Sequence, residues 1–170
     1  MGDGDVPAHE IVILPSEGEQ RAPLRQQCLD VRIEVFHREQ GFPLNTEIDA
    51  WDSKGATLFL LRLVPSHTPI GTIRGYKVPG SEYYKLGRLA ILKEYRQFRL
   101  GRELVLALHA WIRADARASG SRGAHVDVVC ESQIPVVAFY AKYGYAPEGE
   151  EFELDGAPHQ KMVARLPLSD

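Results

Sequence analysis

Apolar and polar positions alternate along the chain in two distinct rhythms, and these define its elements. Residues 10–14 have the β-branched, apolar content of a strand, closed by Pro15 and Gly18. Over residues 22–39, Leu24, Cys28, Val31 and Val35 recur at three- and four-residue steps, with Leu29, Ile33 and Phe36 widening the stripe. This spacing predicts an amphipathic helix, stopped by Gly41 and Pro43. Residues 45–53 are polar and acidic and read as a loop or a short helix. Two strands follow at 57–64 and 70–77; the prolines of the intervening Pro65-Ser66-His67-Thr68-Pro69 cannot donate to a ladder, so the pair reads as a hairpin. After Pro79-Gly80, residues 83–92 continue as a strand. Leu100, Leu104, Leu108, Trp111 and Ile112 then form the core stripe of a second long helix ending at Gly120 and Gly123. Residues 125–130 are a valine-rich strand, Pro135 starts a helix reaching Tyr143, and Gly144 caps it. Strands at 150–154 and 161–166 close the pattern, linked through the tight-turn pair Asp155-Gly156. The order is β, α, β-β-β, α, β, α, β-β. It predicts an α/β (α+β) fold with a mixed, mostly antiparallel central sheet of six or seven strands and helices on both faces.

At 170 residues and 44% hydrophobic content, the chain suffices for one well-buried core, so residues 1–170 read as a single domain with residues 1–8 as a flexible leader. A net charge of -3 gives no general attraction to phosphate backbones or anionic lipid, which argues against nucleic-acid and membrane partners. Cys28 and Cys130 lie far apart without ligand-like spacing, so neither a metal site nor a disulfide scaffold is expected. The acidic start suits no secretory signal, and Val6 stands where an N-myristoylation motif needs Ser or Thr. No apolar stretch approaches bilayer length. A soluble, cytoplasmic protein is expected.

The most informative stretch is residues 89–101, Leu-Ala-Ile-Leu-Lys-Glu-Tyr-Arg-Gln-Phe-Arg-Leu-Gly, where a strand runs through a basic turn into a helix. Main-chain N–H groups and the positive end of the helix dipole meet there, an arrangement able to hold a pyrophosphate. The stretch resembles the acetyl-CoA loop of the GNAT family of N-acetyltransferases, with pattern Arg/Gln-x-x-Gly/Ala-x-Gly/Ala. Arg96 and Gly101 fit its ends, while Arg99 takes a position usually held by a small residue. A second block, Phe139-Tyr140-Ala141-Lys142-Tyr143-Gly144-Tyr145, resembles the family's Phe-Tyr-x-Lys-x-Gly-Phe signature. Seven residues before its tyrosine, where the family often has Asn, stands Gln133. Arg32-x-Glu34-Val35-Phe36-x-x-Glu39-Gln40, Pro43, Glu47-x-Asp49-x-x-Asp52 and Asp155-Gly156-x-Pro158-His159-x-x-Met162 are similar to the ElaA/YjcF-like branch over most of residues 28–166.

The resemblance implies acetyl-CoA as co-substrate, no metal, and a splay between the fourth and fifth strands that admits the pantetheine arm. It places Leu89, Ile91, Arg96, Gln97, Phe98, Arg99, Leu100, Gly101, Arg102, Gln133, Phe139 and Lys142 at the cofactor, and Tyr140 beside its sulfur as proton donor to the departing thiolate. An attacking amine must be neutral, so a carboxylate or histidine is sought nearby, and Glu47, Asp49, Glu82 and His159 are the candidates. Arg74 and Arg88 are read either as binding an anionic group of the acceptor or as pairing with Glu47 or Asp49. A covalent route through Cys130 is set aside because no His-Cys constellation is readable. The expected acceptor is the primary amine of a small molecule, attacked directly in a ternary complex, and a homodimer is an admissible assembly. The alternatives are a non-catalytic acyl-CoA-binding module and transfer to a protein amine.

Overall fold

The computed structural model describes residues 4–168. Residues 1–3 of the stretch read as a leader lie outside them, while its end is already fastened to the fold. Val64 N donates to Ala8 O (3.0 Å), and His9 Nδ1 lies 2.7 Å from Pro7 O. Contacts group the chain into two compact units, one running through Ile73 and joined by Arg88–Leu104, the other made of Arg74–Gly87 and the chain from Val105.

In the first unit, β1 (His9–Ile13) pairs antiparallel with β2 (Thr57–Leu63), Ile11 facing Leu61. Leu58, Phe59, Leu60 and Leu61 of β2 are fully buried. The helix α1 (Arg21–Arg32) packs on this strand, and its Cys28 thiol approaches Phe59 O (3.7 Å), which also accepts from Thr72 Oγ1 (2.8 Å). A Cβ on Gly71 of β3 (Pro69–Lys77) would lie 2.7 Å from Ile91 Cδ1, so the absence of a side chain lets β4 (Tyr84–Ile91) close on β3. The single helix expected over 22–39 changes its winding after Arg32. Residues Ile33–Glu39 form a π-helix, with Gln40 N donating to Val35 O (3.1 Å). The wider turn directs Val35 and Phe36 onto Ala90 and Leu92 in one apolar cluster with Val31.

His9 also closes on Glu103 near the start of α3 (Leu100–Ala118), its Nε2 2.9 and 3.1 Å from the two carboxylate oxygens. The Glu103 hydrogen bond, more than any other cause, raises the His9 pKa above its ordinary 6.5. A raised folded pKa adds stability that is complete below the unfolded value and lost as pH rises through the folded one. His9→Asn is therefore expected to lower the thermal midpoint at about pH 6, by no more than about 1 kcal/mol for so exposed a pair, and to match the parent at about pH 9. A difference that grows with pH would contradict the pairing.

In the second unit, Val105, Leu108, Ile112 and Ala116 form the buried face of α3. A Cβ on Gly75 would come within 2.6 Å of Leu108 Cδ1, so helix and strand touch directly. Tyr84 donates to Asp115 Oδ2 (2.5 Å) and meets Trp111 edge-on. The strand β5 (His125–Gln133) pairs parallel with β4 and, along its whole length, antiparallel with β8 (Ala157–Pro167). Before α4 (Val137–Ala141) the chain makes a 3-10 turn at Ile134–Val136, with Pro135 in it as expected. Asp155 and Gly156 both adopt positive φ (52° and 83°), giving the tight turn between β7 (Phe152–Leu154) and β8.

Among the described residues the strand order is β1-β2-β3-β4-β5-β8-β6, with β7 on β8. This is the expected mixed, mostly antiparallel sheet with one parallel pair. Its eighth strand is β6 (Ala146–Pro147), opposite Met162 and Val163, too short and too proline-bound to register as a hydrophobic pattern. No helix among the described residues is long and apolar enough to cross a membrane.

Candidate functional site

The basic turn is built as the sequence suggests, with one unusual backbone position. Residues Lys93–Phe98 form a 3-10 helix, and Arg99 follows in the left-handed region (φ 57°, ψ 31°) before α3 begins at Leu100. For a residue other than glycine this conformation costs about 1–2 kcal/mol. Leu100 is buried and anchors the helix start. The Arg99, Gln97 and Arg102 side chains face solvent, and Phe98 is half-buried. Arg96 is engaged: its Nη1 and Nη2 each donate to a Glu39 carboxylate oxygen at 2.6 Å, and its Nε donates to Ile91 O (3.0 Å). Glu39 answers with a carboxyl held below the ordinary carboxylate value, chiefly by the Arg96 hydrogen bonds. The turn's first arginine thus spends its guanidinium on bracing the turn against the π-helix.

The acidic segment resembling the ElaA/YjcF-like branch turns out to be a structural knot. Asp49 caps α2 (Ala50–Ser53), accepting from Trp51 N (3.1 Å), and Asp52 completes the capping box by accepting from Asp49 N (3.0 Å). Arg32 reaches both Asp52 oxygens (2.6 and 3.1 Å) and also donates to Glu47 O; Arg21 donates to Asp52 O (3.0 Å). Arg32, Glu47 and Asp52 are buried. Arg88 realises the second of its two readings, donating to Thr46 O (3.0 Å) with its guanidinium 3.5 Å from Asp49 Oδ2. It does so from a positive φ of 53° in the middle of β4, which breaks that strand's in-out alternation between Leu86 and Ala90. Leu89 and Ile91 lie just beyond this break. The sequence carries no signal for it, because arginine is not a residue that marks left-handed backbone.

In the second unit the parallel ladder between β4 and β5 consists of Tyr84↔Val128 and Lys85↔Val129. It stops there although β4 runs to Ile91 and β5 to Gln133. Gln133 ends β5 and faces His159 of β8. His159 is buried, with Nδ1 2.8 Å from Ala157 O and its ring stacked near Phe152 (6.1 Å). Arg74 is buried, whereas Glu82 is exposed on a turn 4.0 Å from Lys77.

Tyr140 is buried on α4 within an aromatic cluster, edge-on to Phe139 (5.3 Å) and Tyr145 (5.5 Å), and Phe139 also meets Tyr143. Burial drives its phenol pKa well above the ordinary 10, so the hydroxyl stays protonated at neutral pH. Lys142 is exposed. Burial likewise pushes the Cys130 thiol up to about 12, so it holds little thiolate and suits packing better than acyl transfer. Gly144 takes φ 92°, and Gly144 N donates to Ala141 O (3.3 Å), the helix stop expected there. Sequence reasoning missed His109, a buried histidine on α3 whose Nε2 lies 2.8 Å from the Tyr145 hydroxyl. Its spacing, four residues after Val105 and three before Ile112, places it on the buried face of α3, a signal that was present in the periodicity. Among the described residues, no group of three or more His, Cys, Asp or Glu is placed to hold a metal ion.

The first unit thus holds a turn feeding a helix N-terminus, and the second a parallel strand pair that ends early and a buried tyrosine on the following short helix. Comparison with known proteins gives the class. The acetyltransferase (GNAT) domain matches residues 28–166. The N-acetyltransferase YjcF of Bacillus subtilis (strain 168) is 33% identical over 134 residues, covering 78% of this chain and 86% of that protein. A Lactobacillus plantarum crystal structure assigned to an N-acetyltransferase superposes with TM-score 0.76 at 25% identity, covering 94% of this chain and 99% of that one. Escherichia coli ElaA shares the fold with TM-score 0.75 at 23% identity, covering 92% and 99%. The chain belongs to the GNAT family and is an acyltransferase enzyme. Within the family its likeness runs to the ElaA/YjcF-like branch.

Proposed function

We propose that the chain is one N-acetyltransferase domain that uses acetyl-CoA to acetylate the primary amine of a small molecule in the cytoplasm, by direct attack in a ternary complex. The observation that carries this reading is the left-handed Arg99, which swings the chain out of a 3-10 turn into the first turn of α3 with the Arg96 guanidinium already taken by Glu39. What such a turn offers a pyrophosphate is main chain: the N–H groups of Gln97 to Arg102 and the helix dipole, with Arg99 and Arg102 adding positive charge at its rim. The early end of the β4–β5 ladder supports the same reading.

In the reaction the neutral amine forms a C–N bond to the acetyl carbonyl carbon, a main-chain N–H near Ile91 polarises that carbonyl, and the C–S bond breaks. Tyr140 donates a hydrogen bond from its hydroxyl to the departing sulfur, and its proton follows as the C–S bond breaks. A phenol whose pKa is raised by burial is a weaker acid than a thiol of about 8.5, so its hydrogen bond stabilises the developing thiolate. The protonated nitrogen of the tetrahedral adduct gives its proton to water, and solvent returns one to Tyr140, leaving a neutral amide, free CoA thiol and the phenol as it began. Leu89, Phe98, Leu100, Phe139, Lys142 and Gln133 border the cofactor in this scheme. Glu47, Asp49, Arg74, Arg88 and His159 remain the candidates for acceptor recognition in this scheme, with Asp49 and Arg88 also bracing each other.

Gly101 is the second residue of α3, where a missing side chain serves close approach to a phosphate. Gly101→Val is expected to raise the apparent KM for acetyl-CoA by about tenfold or more with little effect on kcat, the pattern of lost uniform binding. A variant that titrates acetyl-CoA as the parent does would remove the turn from the cofactor site.

A further inference from the structure

Tyr140 sits on a helix of five residues, too short to hold its own orientation, and one without a side-chain cap. Its C-terminal end is held by the turn bond from Tyr143 N to Tyr140 O (2.9 Å) and, through both main chain and ring, by Tyr145. Tyr145 N donates to Tyr140 O (3.3 Å), and the two rings meet edge-on at 5.5 Å. Tyr145 is in turn held by a hydrogen bond of 2.8 Å between its hydroxyl and His109 Nε2, with the two rings 5.6 Å apart. His109 belongs to the 19-residue helix α3, a rigid support. Both partners are buried, at 3% exposure each.

This pair is not needed for packing alone. The signature that the chain resembles has Phe where Tyr145 stands, and an apolar pair would fill the same space without desolvating a hydroxyl and an imidazole. A hydrogen bond adds direction: it fixes where the Tyr145 ring lies, and that ring and its backbone N–H bear on Tyr140. Burial also pushes the His109 pKa down to about 4, so the imidazole is neutral in the working range and the bond does not come and go with pH.

We propose that His109 is a positioning residue for the transfer reaction, holding the Tyr140 hydroxyl in place through its hydrogen bond to Tyr145. The inference rests on the reading of Tyr140 as the group that meets the departing sulfur.

The test compares His109→Leu, His109→Gln, Tyr145→Phe, Tyr140→Phe and the His109→Leu/Tyr140→Phe double variant, by kcat, KM for acetyl-CoA and affinity for CoA. His109→Leu and Tyr145→Phe are each expected to lower kcat by about tenfold, the scale of a small misplacement of a reacting group, with KM and CoA affinity within about twofold of the parent. His109→Gln, whose amide is able to meet the Tyr145 hydroxyl, is expected to recover most of kcat. In the Tyr140→Phe background, His109→Leu is expected to cost nothing more, because the group it positions is gone. Tyr145→Phe reads the same bond if His109→Leu does not fold. Equal losses from His109→Leu in both backgrounds, or a Tyr145→Phe protein with the parent's kcat, would overturn the inference while leaving the role of Tyr140 standing. A Tyr140→Phe protein with the parent's kcat would overturn both.

Discussion

Replacing Asp52 with alanine is expected to destabilise the protein by about 3–5 kcal/mol, the range for removing one partner of a buried ion pair. Arg32 and Asp52 are each only 1% exposed, and the pair is bidentate at 2.6 and 3.1 Å. With Asp52 gone, the Arg32 guanidinium keeps its charge in the interior with the main-chain oxygen of Glu47 as its remaining acceptor. The same carboxylate closes the capping box of α2, so that helix loses its first turn as well. Denaturant titration should give a lower midpoint with an unchanged slope. Replacing both partners with leucine should cost less than the single change, because no charge is left buried alone. A single variant within about 1 kcal/mol of the parent would mean that the knot is not what holds this segment.

Tyr140→Phe is expected to keep the fold and the affinity for CoA while lowering kcat by about ten- to a thousandfold, at or slightly below the usual range for general acid catalysis. The ring stays, so the contacts with Phe139 and Tyr145 are retained and only the hydroxyl is lost. Because burial raises the Tyr140 pKa, the phenol is protonated throughout the neutral range and its removal should leave the shape of the pH profile unchanged. Measured where chemistry limits turnover, a parent-like kcat would reduce Tyr140 to a packing residue.

Elements whose periodicity is set by burial were legible in the sequence. The α3 stripe, the β2–β3 hairpin, the valine-rich β5 and the Asp155-Gly156 turn all appear where the pattern puts them, because each presents one face to a core or a turn chemistry of its own. The π-helical winding of Ile33–Glu39 was not legible, since it depends on how Val35 and Phe36 meet Ala90 and Leu92, residues far along the chain. Nor was the left-handed backbone at Arg88 and Arg99, where tertiary contacts impose a conformation that arginine does not favour by itself. At the candidate site, the turn conformation before α3 and the short helix carrying Tyr140 lie where the motifs put them, while most of the charge partners were not legible. The Arg88–Asp49 pair was one of two open readings, whereas the Arg96–Glu39 pair joins positions 57 residues apart that no local pattern links. His109 lies at core spacing with Val105 and Ile112, so its burial was legible from the helical period, but its hydrogen-bond partner Tyr145, 36 residues on, was not.

The central claim is transfer of an acetyl group from acetyl-CoA to a small amine. The most direct measurement is release of free CoA thiol, with mass spectrometry of the products, over a panel of small primary amines and lysine-containing peptides. The account predicts thiol release matched mole for mole by an N-acetylated small amine, saturable in both substrates. Acetyl-CoA that binds without thiol release above hydrolysis for any acceptor, or release with the peptides alone, would contradict it.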